Sequence, residues 1–248
     1  MNATSITRTR ASSGVAPYDL HGAALLDCYR GDDQATLLVY QDGERDDVPA
    51  AFWLRETLDP LEAMALDHCR GRVLDLGAGS GLHAIELERR GFDVVAVDIS
   101  PACVVIMRER GVTDARVADL YDFADGRFDT IACLCNGLDK VGRLTDLPYF
   151  LDRMRTLLAP GGQLLADSFD LGAAADPKDR ARIEARQKQG RYVGELDLQF
   201  EYRGTKSDIF PVLHVDRETL GITAAAAGWS TTILSSRGGH YLARLEPR

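Results

Sequence analysis

The sequence has no run approaching the roughly 20 uncharged apolar residues that cross a bilayer. Its first 14 residues, Ser/Thr-rich with Arg8 and Arg10, lack the apolar segment of a secretory signal. A soluble, cytoplasmic protein is expected, with no membrane partner. Cys28, Cys69, Cys103, Cys133 and Cys135 form an odd set with no C-x-x-C pair and no accompanying histidine spacing, which argues against a disulfide framework and against a zinc site; no metal is expected. Positive charge is also short. Against 38 acidic residues there are 29 Lys and Arg, a net charge of −9, the wrong sign for neutralising a phosphate backbone, so no nucleic-acid partner is expected. No internal repeat is present. What remains is an ordinary globular composition, 45% apolar and 27% charged over 248 residues, enough for one large α/β domain with an elaborated end.

The order of hydrophobic runs gives the architecture. Residues 1–16 read as a polar tail. Residues 17–59 read as a cap, with a loosely helical start from Tyr18 and a hairpin from Thr36 to Val48 turning at Asp42-Gly43. Pro60 opens a helix that ends by Gly71. From Arg72 to Phe169 short apolar strands alternate with amphipathic helices: strands at 73–76, 94–98, 116–119, 128–134 and 163–168, helices at 82–90, 101–110 and 146–158. Strands buried on both faces and separated by helices specify a doubly wound, mostly parallel sheet. Ser100-Pro101 supplies an N-cap and N1 proline, Gly111 a stop, and Leu147, Phe150, Leu151, Met154, Leu157 and Leu158 keep the 3.6-residue period. Beyond residue 170 a charged helix at 176–190, strands at 192–202 and 209–215, a helix at 217–227 and strands at 229–235 and 241–245 read as an antiparallel C-terminal end added to that sheet. Residues 60–248 thus form the main domain, with a lid or substrate-side insertion at 171–215.

Val73-Leu74-Asp75-Leu76-Gly77-Ala78-Gly79-Ser80-Gly81 is a strand running into a glycine turn and a helix, the geometry of a nucleotide loop. Leu82 stands where the dinucleotide fingerprint needs its last glycine, and Gly-Lys-Ser/Thr is absent, so pyrophosphate is not the indicated ligand. Asp98 ends the next strand 17 positions after Gly81, where a carboxylate can accept both hydroxyls of a ribose. Asp119 ends the third strand, where its carboxylate or the Leu120 backbone could read an adenine amino group. With Asp75, acids stand at three successive strand ends, a setting that suits a cationic, hydroxyl-rich cofactor.

On these residues the chain resembles the class I S-adenosylmethionine-dependent methyltransferases. V-L-D-L-G-A-G-S-G matches their first motif, V-V-A-V-D-I-S their ribose-binding acid, A-R-V-A-D-L their adenine-side acid, and L-L-A-P-G-G-Q-L-L-A-D their fifth-strand motif, over roughly residues 60–170. The resemblance implies a Rossmann-like methyltransferase fold and S-adenosylmethionine as cofactor, with S-adenosylhomocysteine as product. It places Gly77, Ala78, Gly79 and Gly81 along the methionine portion, with further contacts from Asp75, Asp98, Ile99, Asp119, Leu120 and Cys135. It also implies that Arg55, 20 residues before Asp75, pairs with the cofactor carboxylate.

The strand 128–134 ends at Cys135-Asn136-Gly137-Leu138, which in this family faces the transferring methyl. It lacks the Pro-Pro-aromatic motif of base methyltransferases and is similar to the L-G-N-S segment of glycine N-methyltransferase-like enzymes. Asn136 is therefore a candidate for the acceptor site, although asparagine also suits a left-handed turn. His214 is the candidate general base. Phe52 and Trp53 are lid aromatics or core. Residues 176–191, with six basic side chains against three acids, are a steering lid or a solvated helix face. The expected function is methyl transfer to an amine or hydroxyl of a small-molecule metabolite. A non-catalytic cofactor-binding protein and a nicotinamide-dependent oxidoreductase are the alternatives.

Overall fold

Hydrophobic strands that alternate with helices leave the chain one economical arrangement, and the computed structural model, which describes residues 15–41, 43–173 and 177–248, adopts it. Helix α1 (Pro17–Tyr29), strands β1 (Thr36–Gln41) and β2 (Glu44–Pro49) and helix α2 (Pro60–Asp67) precede the parallel core. The core comprises β3 (Arg72–Leu76), α3 (Leu82–Arg89), β4 (Asp93–Asp98), α4 (Pro101–Glu109), β5 (Ala115–Val117), β6 (Phe128–Cys133), α5 (Leu147–Leu157) and β7 (Leu158–Phe169). The C-terminal part holds α6 (Pro177–Lys188), β8 (Glu195–Tyr202), β9 (Thr205–Lys206), β10 (Phe210–Leu213), α7 (Arg217–Ala226), β11 (Trp229–Arg237) and β12 (His240–Pro247). Residues 1–14, Asp42 of the expected hairpin turn and Asp176 at the expected start of α6 lie outside the described residues.

The main sheet has seven strands in the order β11-β12-β7-β6-β3-β4-β5. Strands β3 to β7 run parallel, and β12 joins β7 antiparallel. The chain winds outward from β3 through β4 to β5, then returns to place β6 on the other side of β3. That reversal opens a crevice at the carboxyl ends of β3 and β6, the place where open α/β sheets bind ligands. Local chemistry fixes the helices. Ser100 Oγ caps α4 at the Cys103 N–H, Asp59 and Glu62 form a capping box on α2, and the periodic residues of α5 are all buried. The third strand stops at Val117, so Asp119 lies two residues past its end rather than on it.

The C-terminal strands divide between two sheets, which corrects the expected single antiparallel extension. Strands β11 and β12 extend the main sheet, whereas β8, β9 and β10 join the N-terminal hairpin in a second, antiparallel sheet, β10-β8-β1-β2 with β9 on β8. The burial pattern explains the division. Strand β12 presents long buried runs suited to a covered sheet, whereas β8 buries Leu196, Phe200 and Tyr202 on one side only. Phe200 and Tyr202 pack with Leu20, Ala24 and Leu25 of α1, and Leu37 of β1. Helix α1 in turn lies hard against the start of α4, since a Cβ at Gly22 would stand 2.0 Å from Ser100 Oγ. The cap and the 192–215 segment, separate in the sequence, are one layer beside the crevice.

Candidate cofactor and acceptor site

The glycine turn after β3 needs left-handed backbone at Gly77, Gly79 and Gly81, with φ of +74°, +55° and +86°. The Gly77 and Ala78 N–H groups donate to Val97 O of β4, which ties the loop to the neighbouring strand. Asp98 receives the Gly79 N–H on Oδ2 at 2.9 Å and the Ser100 N–H on Oδ1 at 2.8 Å. Each oxygen keeps a lone pair for a ligand hydroxyl. Burial pushes the Asp98 carboxyl above its ordinary range, against the pull of those backbone donors. Asp119 Oδ1 accepts the Tyr121 N–H at 2.9 Å, and the Leu120 carbonyl accepts Arg153 Nε at 2.9 Å. Ile99 stands beside Asp98 and is 45% exposed, an apolar side chain left uncovered at the rim.

Asp75 lies deeper than its position in the motif suggests. It is 1% exposed, its Oδ1 is 3.9 Å from His83 Nδ1, and its Oδ2 is buried without a hydrogen-bond partner among the described residues. Burial raises its pKa. Below it is a group that sequence reasoning missed. Glu62, 2% exposed, accepts both terminal nitrogens of Arg55 and the Asp59 N–H at 2.9 Å, and its Oε1 stands 3.1 Å from His83 Nε2 as an ion pair. Burial alone would raise the Glu62 carboxyl, but its bonds to His83 and Arg55 reverse the sign and hold it below the ordinary range. Arg55, expected to meet a cofactor carboxylate, is held end-on by this internal carboxylate and donates also to Thr57 O at 2.8 Å.

At the end of β6 two consecutive non-glycine residues, Cys135 and Asn136, take left-handed backbone with φ of 63° and 56°. Asparagine tolerates that conformation and cysteine rarely adopts it, so the turn is strained by about 1–2 kcal/mol. Asp167 of β7 holds it, accepting the Asn136 N–H at 3.0 Å and the Gly137 N–H at 2.7 Å. The same carboxylate binds His240 Nε2 at 2.7 Å, and that bond raises the His240 pKa. The sequence reading named neither Asp167 nor His240 for the site. The imidazole of His214, just past β10, shares the field of Asp139, Asp167 and His240, and burial lowers its pKa; its Nδ1 is buried without a partner among the described residues. Asp167 thus joins the Asn136 turn to His240, and its charge reaches His214.

The second layer brings aromatics to the same end. His21 of α1 lies 4.8 Å from Trp53 and 6.1 Å from Phe200, ring to ring, and burial pushes its pKa down to about 4. Trp53 is fixed to the glycine loop by the Ser80 Oγ bond to its carbonyl, at 2.7 Å, while Phe52 is 59% exposed. The basic stretch of α6 is not simply a solvated face. Arg186 is 5% exposed and donates to Val193 O, and Arg191 pairs with Asp197 at 2.9 Å. No helix among the described residues is long and apolar enough to cross a membrane.

Comparison with known proteins agrees with this geometry. The methyltransferase-domain model matches residues 50–204, more than half of the chain. A SAM-dependent methyltransferase from Bacteroides fragilis, solved in complex with S-adenosyl-L-homocysteine, superposes with a TM-score of 0.81. It is 36% identical, over 93% of this chain and 95% of that one. A sugar N-methyltransferase from Streptoalloteichus, 19% identical at a TM-score of 0.56, shares the fold. Among curated proteins, a magnesium-protoporphyrin O-methyltransferase from Rhodobacter capsulatus is 41% identical over 33% of this chain and 41% of its own length. A ubiquinone biosynthesis O-methyltransferase from Xanthomonas euvesicatoria is 33% identical over 44% of this chain and 48% of its own. The chain thus spans less than half the length of these curated relatives. A nicotinamide-dependent oxidoreductase is set aside by these matches. The chain belongs to the methyltransferase-domain family, with the fold of the class I S-adenosylmethionine-dependent enzymes.

Proposed function

We propose that the protein transfers the methyl group of S-adenosylmethionine to a hydroxyl or amine of a small-molecule acceptor. The observation that carries this reading is the meeting, at one end of the main sheet, of two unlike halves. One is a glycine turn with a ribose-competent carboxylate, and the other is a polar cluster of Asn136, Asp167, His214 and His240. The residues fit the cofactor: the Asp98 carboxylate is already oriented by two N–H donors, and the orphaned Asp75 Oδ2 suits a buried ammonium. When bound, the cofactor supplies an electrophilic sulfonium methyl.

Asp98, Asp119 and the Leu120 backbone hold the adenosine end, and Gly77, Ala78, Gly79 and Gly81 let the backbone approach closely. Cys135 and Asn136 face the reacting end. The cap aromatics exclude water and align the nucleophile. Burial keeps the His214 imidazole neutral at pH 7, the form that can accept a proton from an acceptor hydroxyl or ammonium. The curated relatives are O-methyltransferases by name, which makes a hydroxyl the first acceptor class to test.

The test is incubation with methyl-labelled cofactor and fractionated metabolite pools, with protein, RNA and DNA as parallel acceptors. Label in a small molecule is expected. Label confined to a macromolecule overturns the acceptor class, and tight cofactor binding without any transfer points to a non-catalytic binder. Asp98→Ala is expected to weaken S-adenosylhomocysteine binding by about 1.5–3 kcal/mol for each charge-assisted hydrogen bond lost. An unchanged dissociation constant in the folded variant would remove Asp98 from the ribose site.

Asn136 can be separated from its turn. Glycine is at ease in left-handed backbone, so Asn136→Gly preserves the turn while deleting the carboxamide. If the side chain positions the acceptor, turnover falls at least about tenfold, ~1.4 kcal/mol of barrier, with stability intact. Full activity would reduce Asn136 to a turn former.

A further inference from the structure

We propose that Lys140 receives the carboxylate at the amino-acid end of the bound cofactor, the role that the family resemblance implies for Arg55. The inference rests on the reading of the glycine turn as an S-adenosylmethionine site. Lys140 lies in the short 3-10 turn Gly137–Val141, which starts at left-handed Asn136 and is pinned to β7 by the Asp167 bonds. Its side chain crosses the first loop glycine. A Cβ at Gly77 would stand 2.1 Å from Lys140 Cε and 3.1 Å from Nζ, whereas a Cβ at Gly79 would meet nothing within 4 Å. The ammonium therefore stands against the backbone at the turn's entry, away from the Asp98 end.

Its pairing is loose. Asp139 Oδ1 is 3.6 Å away, beyond hydrogen-bond length, although the side chain is only 20% exposed. An ammonium has three donors, and a ligand carboxylate can take those that Asp139 leaves open. The same charge acts on Asp75 and Asp98, lowering the pKa of each against the effect of burial, so it belongs to the cradle's own field. Arg55 spends its end-on edge on Glu62 and a further Nη1 donor on Thr57 O, whereas the carboxylate beside Lys140, Asp139, stands 3.6 Å from the ammonium. An amino acid's two charges then find opposite partners, the ammonium facing the free Asp75 oxygen and the carboxylate facing Lys140.

Calorimetry with two ligands tests this. S-adenosylhomocysteine carries the amino-acid end, and 5′-methylthioadenosine keeps the adenosine and thioether but lacks it. In Lys140→Met, affinity for S-adenosylhomocysteine should fall by about tenfold or more, while affinity for methylthioadenosine stays within about twofold. Lys140→Arg should restore much of the loss. Unchanged S-adenosylhomocysteine affinity overturns the proposal, including the case in which Lys140→Met raises the acceptor's KM instead. An equal loss for both ligands also overturns it, since the substitution would then have disturbed the whole cradle. Failure of the unsubstituted protein to bind either ligand removes the cofactor reading itself, and is recognised before any variant is made.

Discussion

Replacing Glu62 by glutamine is expected to lower the unfolding free energy by about 3–5 kcal/mol, because it leaves a buried cation without its counter-charge. The carboxylate is 2% exposed and is shared by Arg55, His83 and the Asp59 N–H. A carboxamide has one acceptor oxygen where the structure uses two, and its NH2 would face a donor. The pH dependence carries a second signature. Glu62 is held below its ordinary pKa, so its contribution is complete above about 4.3 and is lost as pH falls through the lower folded-state value. His83 is raised: burial opposes its charge, but Glu62 and Asp75 more than offset that. Its contribution is complete below about 6.5 and is lost as pH rises through the raised folded-state value. Denaturant unfolding across this range should therefore show both slopes in the unsubstituted protein and a flatter profile in Glu62→Gln. A variant of equal stability with an unchanged profile would show that the network carries no net energy.

The glycine turn and Asp98 at the next strand end were legible because their signals are local. A strand, a glycine turn and a helix follow one another within residues 73–89, and Asp98 closes the next strand, so chain order and spatial order coincide. What was not legible is pairing across long separations. Tyr40 reaches Glu201, Asp167 reaches His240, and β1 pairs with β8, contacts between segments whose patterns say only that each is a strand or a turn. The 192–215 strands could not be assigned to a sheet from alternation alone, since two sheets offered an edge. Glu62 is a different case. Asp59 and Glu62 form a capping box in the structure, but a cap is ordinarily a solvated feature, and nothing local showed that Arg55 and His83 would converge on its carboxylate. Arg55 is a similar case: its end-on pairing with Glu62, seven residues on, is one that no local pattern announces.

Asp167→Asn should be the most damaging single change at the acceptor end, lowering turnover by more than about a hundredfold, ~2.7 kcal/mol of barrier. Stability should fall by roughly 3 kcal/mol, the cost of leaving buried donors without a charged acceptor. The carboxylate is 1% exposed and takes three donors: two successive backbone N–H groups of the strained 135–137 turn, and His240 Nε2. One carboxamide oxygen cannot serve the Asn136 and Gly137 N–H groups on separate atoms, so the left-handed pair Cys135-Asn136 loses the clamp that offsets its strain. The Asp167 hydrogen bond is also the main reason that the His240 pKa is raised. That bond adds stability below about pH 6.5 and ceases to do so as pH rises through the elevated folded-state value. In Asp167→Asn the imidazole should titrate lower, a shift that NMR reads directly and that a generally loosened fold would not produce by itself. Asn136→Gly gives the control, since it keeps the clamp and deletes only the carboxamide. If Asp167→Asn retained normal turnover while His240 titrated lower as expected, the turn would hold without its carboxylate, and the acceptor site would have to be sought away from the ends of β6 and β7.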